Sequence, residues 1–210
     1  MSTKDRNALF FLSAHSGVIY DFEHRSQMIL QGHCNAITTC AVSKDKRWIV
    51  TADTGEDSIL VVWDSFTGAP VKTIFSPHTN GCISVDISDD ALYITTLKAP
   101  SNDGEPQEVA VWAWTRQQND DQLPLLRETM ITTERQHNIL FNTYNQSEIV
   151  TTGNKTVCFW TWEEFRLEGY VGKVSKTDFG HFSGRLTNTI FLGNSGNALT
   201  CSDEGYTILW

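Results

Sequence analysis

The feature that most constrains the fold is an apolar, strand-like segment that ends in an aromatic residue and recurs about every fifty residues. It ends at Trp63, Trp112, Trp160 and Trp210, and the distances between these four tryptophans are 49, 48 and 50 positions in chain order. Tyr20 occupies the same place 43 residues before Trp63. A fixed period of this length indicates a chain built from stacked copies of one supersecondary unit.

Each repeat also has the same interior. Two short strands and a tight turn precede the aromatic strand, and a fourth strand follows it. In the first full repeat, the two preceding strands are residues 36–40 and 48–51, the turn is 53–57, and the last strand is 71–75. The turns are rich in Asp, Asn and Gly, which tolerate the backbone geometry of hairpins. Four short strands per period, without a sustained helical pattern, predict an all-β fold of four-stranded antiparallel sheets, the blades of a β-propeller.

The repeats predict how the chain is divided into blades. A partial blade extends to about residue 31, and full blades follow at about 32–75, 76–131 and 132–172. An incomplete blade occupies about 173–210. Propellers typically contain more blades than this. We therefore expect an incomplete ring, a fragment of a larger propeller whose remaining blades lie elsewhere in the parent protein.

Net charge limits the kinds of partner. The chain carries a net charge of −9, and its lysines and arginines form no cluster in sequence. Nucleic acid is therefore not an expected partner. The acidic balance also argues against docking by bulk charge onto acidic lipid headgroups or acidic protein tails. No secretory signal or membrane-length apolar run occurs, which predicts a soluble intracellular chain with no membrane partner.

The five cysteines predict neither a disulfide framework nor a metal site. Their number is odd, their spacings are wide and no CxxC pair occurs. Zinc sites and disulfide frameworks need tighter pairing. We expect free thiols in a reducing compartment and no metal or cofactor.

The first full repeat carries the residues of a known family. Gly32-His33 near its start and Trp63-Asp64 at its end match the two ends of a WD repeat, and His78 keeps the histidine in the next unit. The later repeats are degenerate, since the Asp after the tryptophan is replaced. The chain thus resembles WD-repeat propellers.

This resemblance implies a buried relay of hydrogen bonds within a blade. Carried over, its members are His33, Thr51, Asp57 and Trp63, with Asp53 of the same turn as the alternative carboxylate. A buried histidine and carboxylate must be paired to be tolerated, so a mutual contact is physically reasonable.

A closer resemblance extends over nearly the whole chain. Its most specific segment is Trp-Asp-Ser-Phe-Thr-Gly at 63–68, supported by residues 47–53, 111–115 and 184–191. These segments resemble the cilia- and flagella-associated protein 251 family, whose members are subunits of the calmodulin- and spoke-associated complex of the axoneme. The resemblance implies a structural scaffold in motile cilia, at the radial spoke base, that helps attach spokes to doublet microtubules. It implies other axonemal proteins of that complex, including calmodulin, as partners.

An interaction role is also favoured by the motifs that are missing from the sequence. No GxSxG elbow, phosphate loop or HExxH occurs, so we expect no enzyme. The alternative function is a substrate-receptor or signalling adaptor that presents peptides to an enzyme complex. That role needs a basic or aromatic pocket at the central opening, and the sequence shows no conspicuous basic one.

Two long polar loops are the candidate interaction surfaces, because long loops on a rigid scaffold often carry binding. They are residues 98–107 and 115–124, and strand alternation predicts that they leave opposite faces of the propeller. The alternative is that they are solvated insertions without a partner. Their candidate contact residues are Asn102, Asp103, Glu105, Asn119, Asp120 and Asp121.

Overall fold

The computed structural model describes residues 7–101, 105–116, 122–173, 184–193 and 196–210. These residues form β-strands and no α-helix. The strands assemble into five antiparallel sheets, each made of strands that follow one another in the chain. Within this described part, no helix is long and apolar enough to cross a membrane.

The first sheet contains β1 (Ala8–Ser13), β2 (Ser16–Asp21) and β3 (Ser26–Gln31). The second contains β4 (Ile37–Val42), β5 (Trp48–Asp53), β6 (Ile59–Asp64) and β7 (Pro70–Phe75). The third contains β8 (Cys82–Ile87), β9 (Ile94–Lys98), β10 (Glu108–Trp112) and β11 (Leu126–Thr129). The fourth contains β12 (Gln136–Phe141), β13 (Glu148–Gly153), β14 (Val157–Glu163) and β15 (Arg166–Val171). The fifth contains β16 (Leu186–Leu192), β17 (Asn197–Ser202) and β18 (Thr207–Leu209).

The sheets are arranged around a common axis. The first strand of each four-stranded sheet lies innermost, because β4 packs against β8 and β8 against β12. In the four-stranded sheets, the aromatic strand that defines the repeat is the third strand. In β6, residues 60–64 are all buried, because neighbouring sheets cover both of its faces. These features confirm the predicted fold class of propeller blades made of antiparallel sheets.

The innermost strands share a β-bulge at one position. The register against the second strand shifts between Ile37 and Thr39, and in the same place in β8, β12 and β16. The bulged residues of the last three blades are Ile83, His137 and Thr187. A bulge turns the side chain of its extra residue away from the regular alternation. It therefore brings equivalent residues of consecutive blades to the same end of the ring.

Hydrogen bonds join neighbouring blades. Side-chain oxygens of one inner strand accept these bonds from backbone N–H groups of the next inner strand. Val85 N–H donates to Thr39 Oγ1 (3.2 Å) and Ile139 N–H to Ser84 Oγ (3.1 Å). Phe141 N–H donates to Asp86 Oδ2 at 2.8 Å. These bonds satisfy backbone donors that a single sheet would leave unpaired at its inner edge.

The carboxyl group of Asp86 makes folding stability depend on pH. Burial raises its pKa to about 6 from the ordinary value of 3.8. The folded state therefore holds this proton more tightly, so stability falls as pH rises from about 4 to 6. We expect Asp86→Asn, which keeps an acceptor for Phe141, to raise the free energy of unfolding by about 2 kcal/mol at about pH 7 and to change it little near pH 4. Urea unfolding across this pH range tests the expectation, and a difference that is constant with pH would contradict it.

The hydrophobic core consists of layers between adjacent sheets. Trp112 and Trp160 are 2% and 1% exposed in two of these layers. Edge-to-face aromatic contacts bridge neighbouring blades, from Trp48 to Trp114 (ring centroids 5.2 Å apart) and from Tyr93 to Trp162 (4.8 Å). Over the described ranges, no cluster of buried apolar side chains joins the first sheet to the last.

All five cysteines are free thiols. Cys82 and Cys158 are buried, and burial raises the pKa of both thiols, that of Cys158 to about 11. Cys34, Cys40 and Cys201 are exposed. The two buried thiols are thus packed in the core as small hydrophobic groups.

Candidate protein-interaction face

The blade made by β4–β7 contains a complete buried relay. His33 Nδ1 lies 2.8 Å from Asp53 Oδ2, and its Nε2 lies 2.8 Å from Thr51 Oγ1. The indole N–H of Trp63 donates to the same hydroxyl at 2.8 Å. Asp53 also accepts the N–H of Ile59 at 2.7 Å, across the following turn. The relay therefore ties the loop before β4 to the turn between β5 and β6.

The carboxylate of this relay corrects one residue of the sequence interpretation. The structure brings His33, Thr51 and Trp63 together as expected, but with Asp53 rather than Asp57. Asp53 ends β5 opposite Ile37 and is fully buried, whereas Asp57 is exposed in the turn with a φ of 54°. The sequence could not separate the two, because both lie in one turn and only strand pairing fixes which of them faces His33.

The next blade carries a modified relay. His78 Nε2 lies 2.9 Å from Thr96 Oγ1, which also accepts the indole N–H of Trp112 at 2.9 Å. The carboxylate comes from Glu108 at the start of β10, 3.3 Å from His78 Nδ1. Burial lowers the pKa of His78, and the hydrogen bond from His78 lowers that of Glu108. Lys98 takes the place of Asp53 in the register and pairs with Glu105 at 2.8 Å.

Among the described residues of the last two blades, the relay is represented by the bond between the tryptophan and a threonine. Trp160 donates to Thr151 Oγ1 at 3.2 Å, and Trp210 to Thr200 Oγ1 at 2.7 Å. Four of the five repeat-defining aromatics thus share one contact. Tyr20, the fifth, instead packs edge to face against Phe22 in its own blade.

The relays lie beneath one face of the ring, here named the upper face. It is formed by the turn between β1 and β2, by the loops between the second and third strands of the other four sheets, and by the loops that lead from one sheet to the next. The loop between β9 and β10 belongs to this face, and the loop between β10 and β11 to the opposite, lower face, because the two loops begin at opposite ends of β10. Glu105 lies in the first loop. The other predicted contact residues lie outside the described residues: Asn102, Asp103, Asn119, Asp120 and Asp121.

The upper face contains a hollow of about 470 Å³, the upper hollow, over β8, β12 and β16. The bulged residues Ile83, His137 and Thr187 line it, together with Arg135 and Arg185. Sequence reasoning missed this feature. A repeat alignment would have shown the signal, because the two arginines immediately precede Gln136 and Leu186, which share one register position in consecutive blades.

The radial sheets, the tryptophan-to-threonine contacts and the His–Asp relay define the chain as a WD-repeat β-propeller protein. Comparison with known proteins gives the family. The family model of the CFAP251 N-terminal domain matches residues 1–210, and the chain belongs to this family. The protein is accordingly cilia- and flagella-associated and is located in the cilium or flagellum.

The individual relatives agree with this family. Cilia- and flagella-associated protein 251 of Tetrahymena thermophila is 39% identical over 220 residues, covering 100% of this chain and 21% of that protein. The protein of the same name from Chlamydomonas reinhardtii is 31% identical, covering 95% of this chain and 26% of that protein. Human echinoderm microtubule-associated protein-like 4 is 25% identical, covering 92% and 19%. The chain thus spans only a minor part of the length of these relatives.

Proposed function

We propose that the protein is a structural scaffold subunit of the motile-cilium axoneme. In this role it makes protein–protein contacts at the radial spoke base and helps attach spokes to doublet microtubules. Its partners are other axonemal proteins, namely the calmodulin- and spoke-associated complex and calmodulin. The observation that carries the proposal is the family match over residues 1–210.

The architecture supports a scaffold. The relays fix the loops of the upper face onto buried strands, with His33 and Asp53 fully enclosed. Loops held in this way present side chains in a set geometry, which lowers the entropy cost of binding. We propose that contacts are made through the propeller faces and that no catalytic step is involved. The loops 98–107 and 115–124 remain proposed contact segments. The blade boundaries near residues 31, 75, 131 and 172 also remain a proposal.

A second candidate is an adaptor that presents peptides to an enzyme complex. The upper hollow favours this adaptor role, because arginines line the hollow at the upper end of the inner strands. Such a protein would exchange between partners and would not remain fixed to the cytoskeleton.

Fractionation of motile cilia separates the two candidates. We expect the tagged full-length protein to stay with the axoneme after detergent removes membrane and matrix. Chemical cross-linking and mass spectrometry should then recover radial-spoke proteins and calmodulin. A tagged WD-repeat protein from an unrelated family, expressed in the same cells, is the control. Release into the detergent-soluble fraction together with ubiquitin-ligase or signalling components would contradict the scaffold and favour the adaptor.

A further inference from the structure

We propose that the upper hollow binds an acidic peptide segment of a protein partner through Arg135 and Arg185. The net charge of −9 predicts no bulk attraction to acidic surfaces. The fold nevertheless places two guanidinium groups on one hollow, although they lie 50 positions apart in the chain. The proposal goes beyond the scaffold role, because it specifies the chemistry of a ligand without depending on the assembly that supplies it.

The cations at this hollow are available to a ligand. Arg135 and Arg185 are exposed, and neither side chain has a hydrogen bond or ion pair with any described residue. Lys155 follows Asn154, which lines the hollow, and its side chain is likewise exposed without a partner in the described part of the chain. A guanidinium binds a carboxylate with two parallel hydrogen bonds, which is the strongest simple recognition of an acidic side chain.

The nearby carboxylates are already engaged by the protein. Asp203 Oδ1 accepts the backbone N–H of Arg185 at 2.7 Å. Glu134 Oε1 accepts the backbone N–H of Lys155 at 2.5 Å, and Glu105 pairs with Lys98. These acids stabilise the loops and leave the arginine side chains for a ligand.

The frame that carries the arginines is fixed by bonds across blades. Leu186 N–H donates to Asn154 O at 2.8 Å, and Gln136 N–H donates to Gln107 Oε1 at 2.7 Å. His137 Nε2 lies 3.1 Å from Thr187 O, which joins the fourth sheet to the fifth. Each arginine is the residue next to one of these anchored positions. The backbone from which each guanidinium group extends is therefore held in place beside the hollow.

The size and lining of the hollow favour a peptide over nucleic acid. A volume of about 470 Å³ suits a few side chains, and among the described residues no Phe, Tyr or Trp lines it for base stacking. A second hollow of about 310 Å³ adjoins it and shares Pro100 and Arg135. This neighbour is lined by Met130 and Ile131, so an apolar residue of the same peptide fits beside the acidic ones.

Peptide binding tests the proposal directly. The probe is a fluorescein-labelled octapeptide with four consecutive glutamates, and fluorescence anisotropy with the full chain is the readout. We expect saturable binding that weakens with salt and that falls about tenfold or more in the double variant Arg135→Glu/Arg185→Glu. The matched control is Arg25→Glu/Arg166→Glu, which makes the same change of charge at exposed lower-face positions and should bind as the parent does.

Further variants and probes keep the test decisive. If the charge-reversed variant does not fold by circular dichroism, Arg135→Gln/Arg185→Gln replaces it, with the same loss expected. No saturable binding at concentrations up to about 1 mM would overturn the proposal, as would equal weakening by the control variant. Equal affinity for a glutamine octapeptide, or tighter binding of an oligonucleotide of matched charge, would also overturn it. None of these outcomes bears on where the protein fractionates in cilia.

Discussion

Replacing Asp53 by Asn is expected to lower the free energy of unfolding by about 3 kcal/mol. The carboxylate accepts hydrogen bonds from His33 and from Ile59 N–H, and both side chains of the His33–Asp53 pair are fully buried. An asparagine of the same shape presents an NH₂ group where one carboxylate oxygen stood, so one of the two donors loses its acceptor in the interior. Chemical denaturation of the chain at about pH 7 measures the loss.

Asp57→Asn is the matched control for this prediction. It makes the same chemical change four positions later, in the exposed part of the turn, and Asn tolerates the positive φ of that position. We expect its denaturation midpoint to equal that of the parent chain. Equal losses in the two variants would show that turn charge, rather than the buried relay, sets stability here.

A single methyl group at Gly81 is expected to destabilise the chain by about 3 kcal/mol. Gly81 has a φ of 76°, and a Cβ there would lie 2.3 Å from the carbonyl oxygen of Asp53 and 2.8 Å from Cα of Thr54. Thr54 and Gly81 form an isolated β-bridge that joins the relay blade to the next one. Because backbone atoms cannot move aside as a flexible side chain does, Gly81→Ala must separate the two blades locally.

Gly205→Ala isolates the steric part of this effect. Gly205 has a similar φ of 83°, but no described atom outside Gly205 and its two chain neighbours lies within 4 Å of the position that a Cβ would take there. We expect a loss of about 1 kcal/mol at this site, which is the cost of the left-handed backbone alone. Thermal or urea unfolding of both variants gives the comparison. A loss at Gly81 no larger than that at Gly205 would mean that the close approach between blades is easily relaxed.

The relay shows which residues a repeat pattern can predict and which it cannot. His33, Thr51 and Trp63 could be predicted because they occupy fixed places in a repeat, and the repeat period is a property of the chain alone. His137 shows the limit of the same reasoning. It follows Gln136 as a histidine near the start of its repeat, but the β-bulge leaves it exposed against Thr187 O instead of in a relay.

The sequence by itself determined the blade, because the alternation of apolar residues, the turn residues and the spacing of the tryptophans are local properties that a single sheet can satisfy. Only the tertiary structure decided how blades meet. It selected Asp53 over Asp57, supplied Glu108 to His78, and brought Arg135 and Arg185 to one hollow. These outcomes depend on strand register and on contacts between residues far apart in the chain, since a shift of one residue turns a side chain to the other face of its sheet.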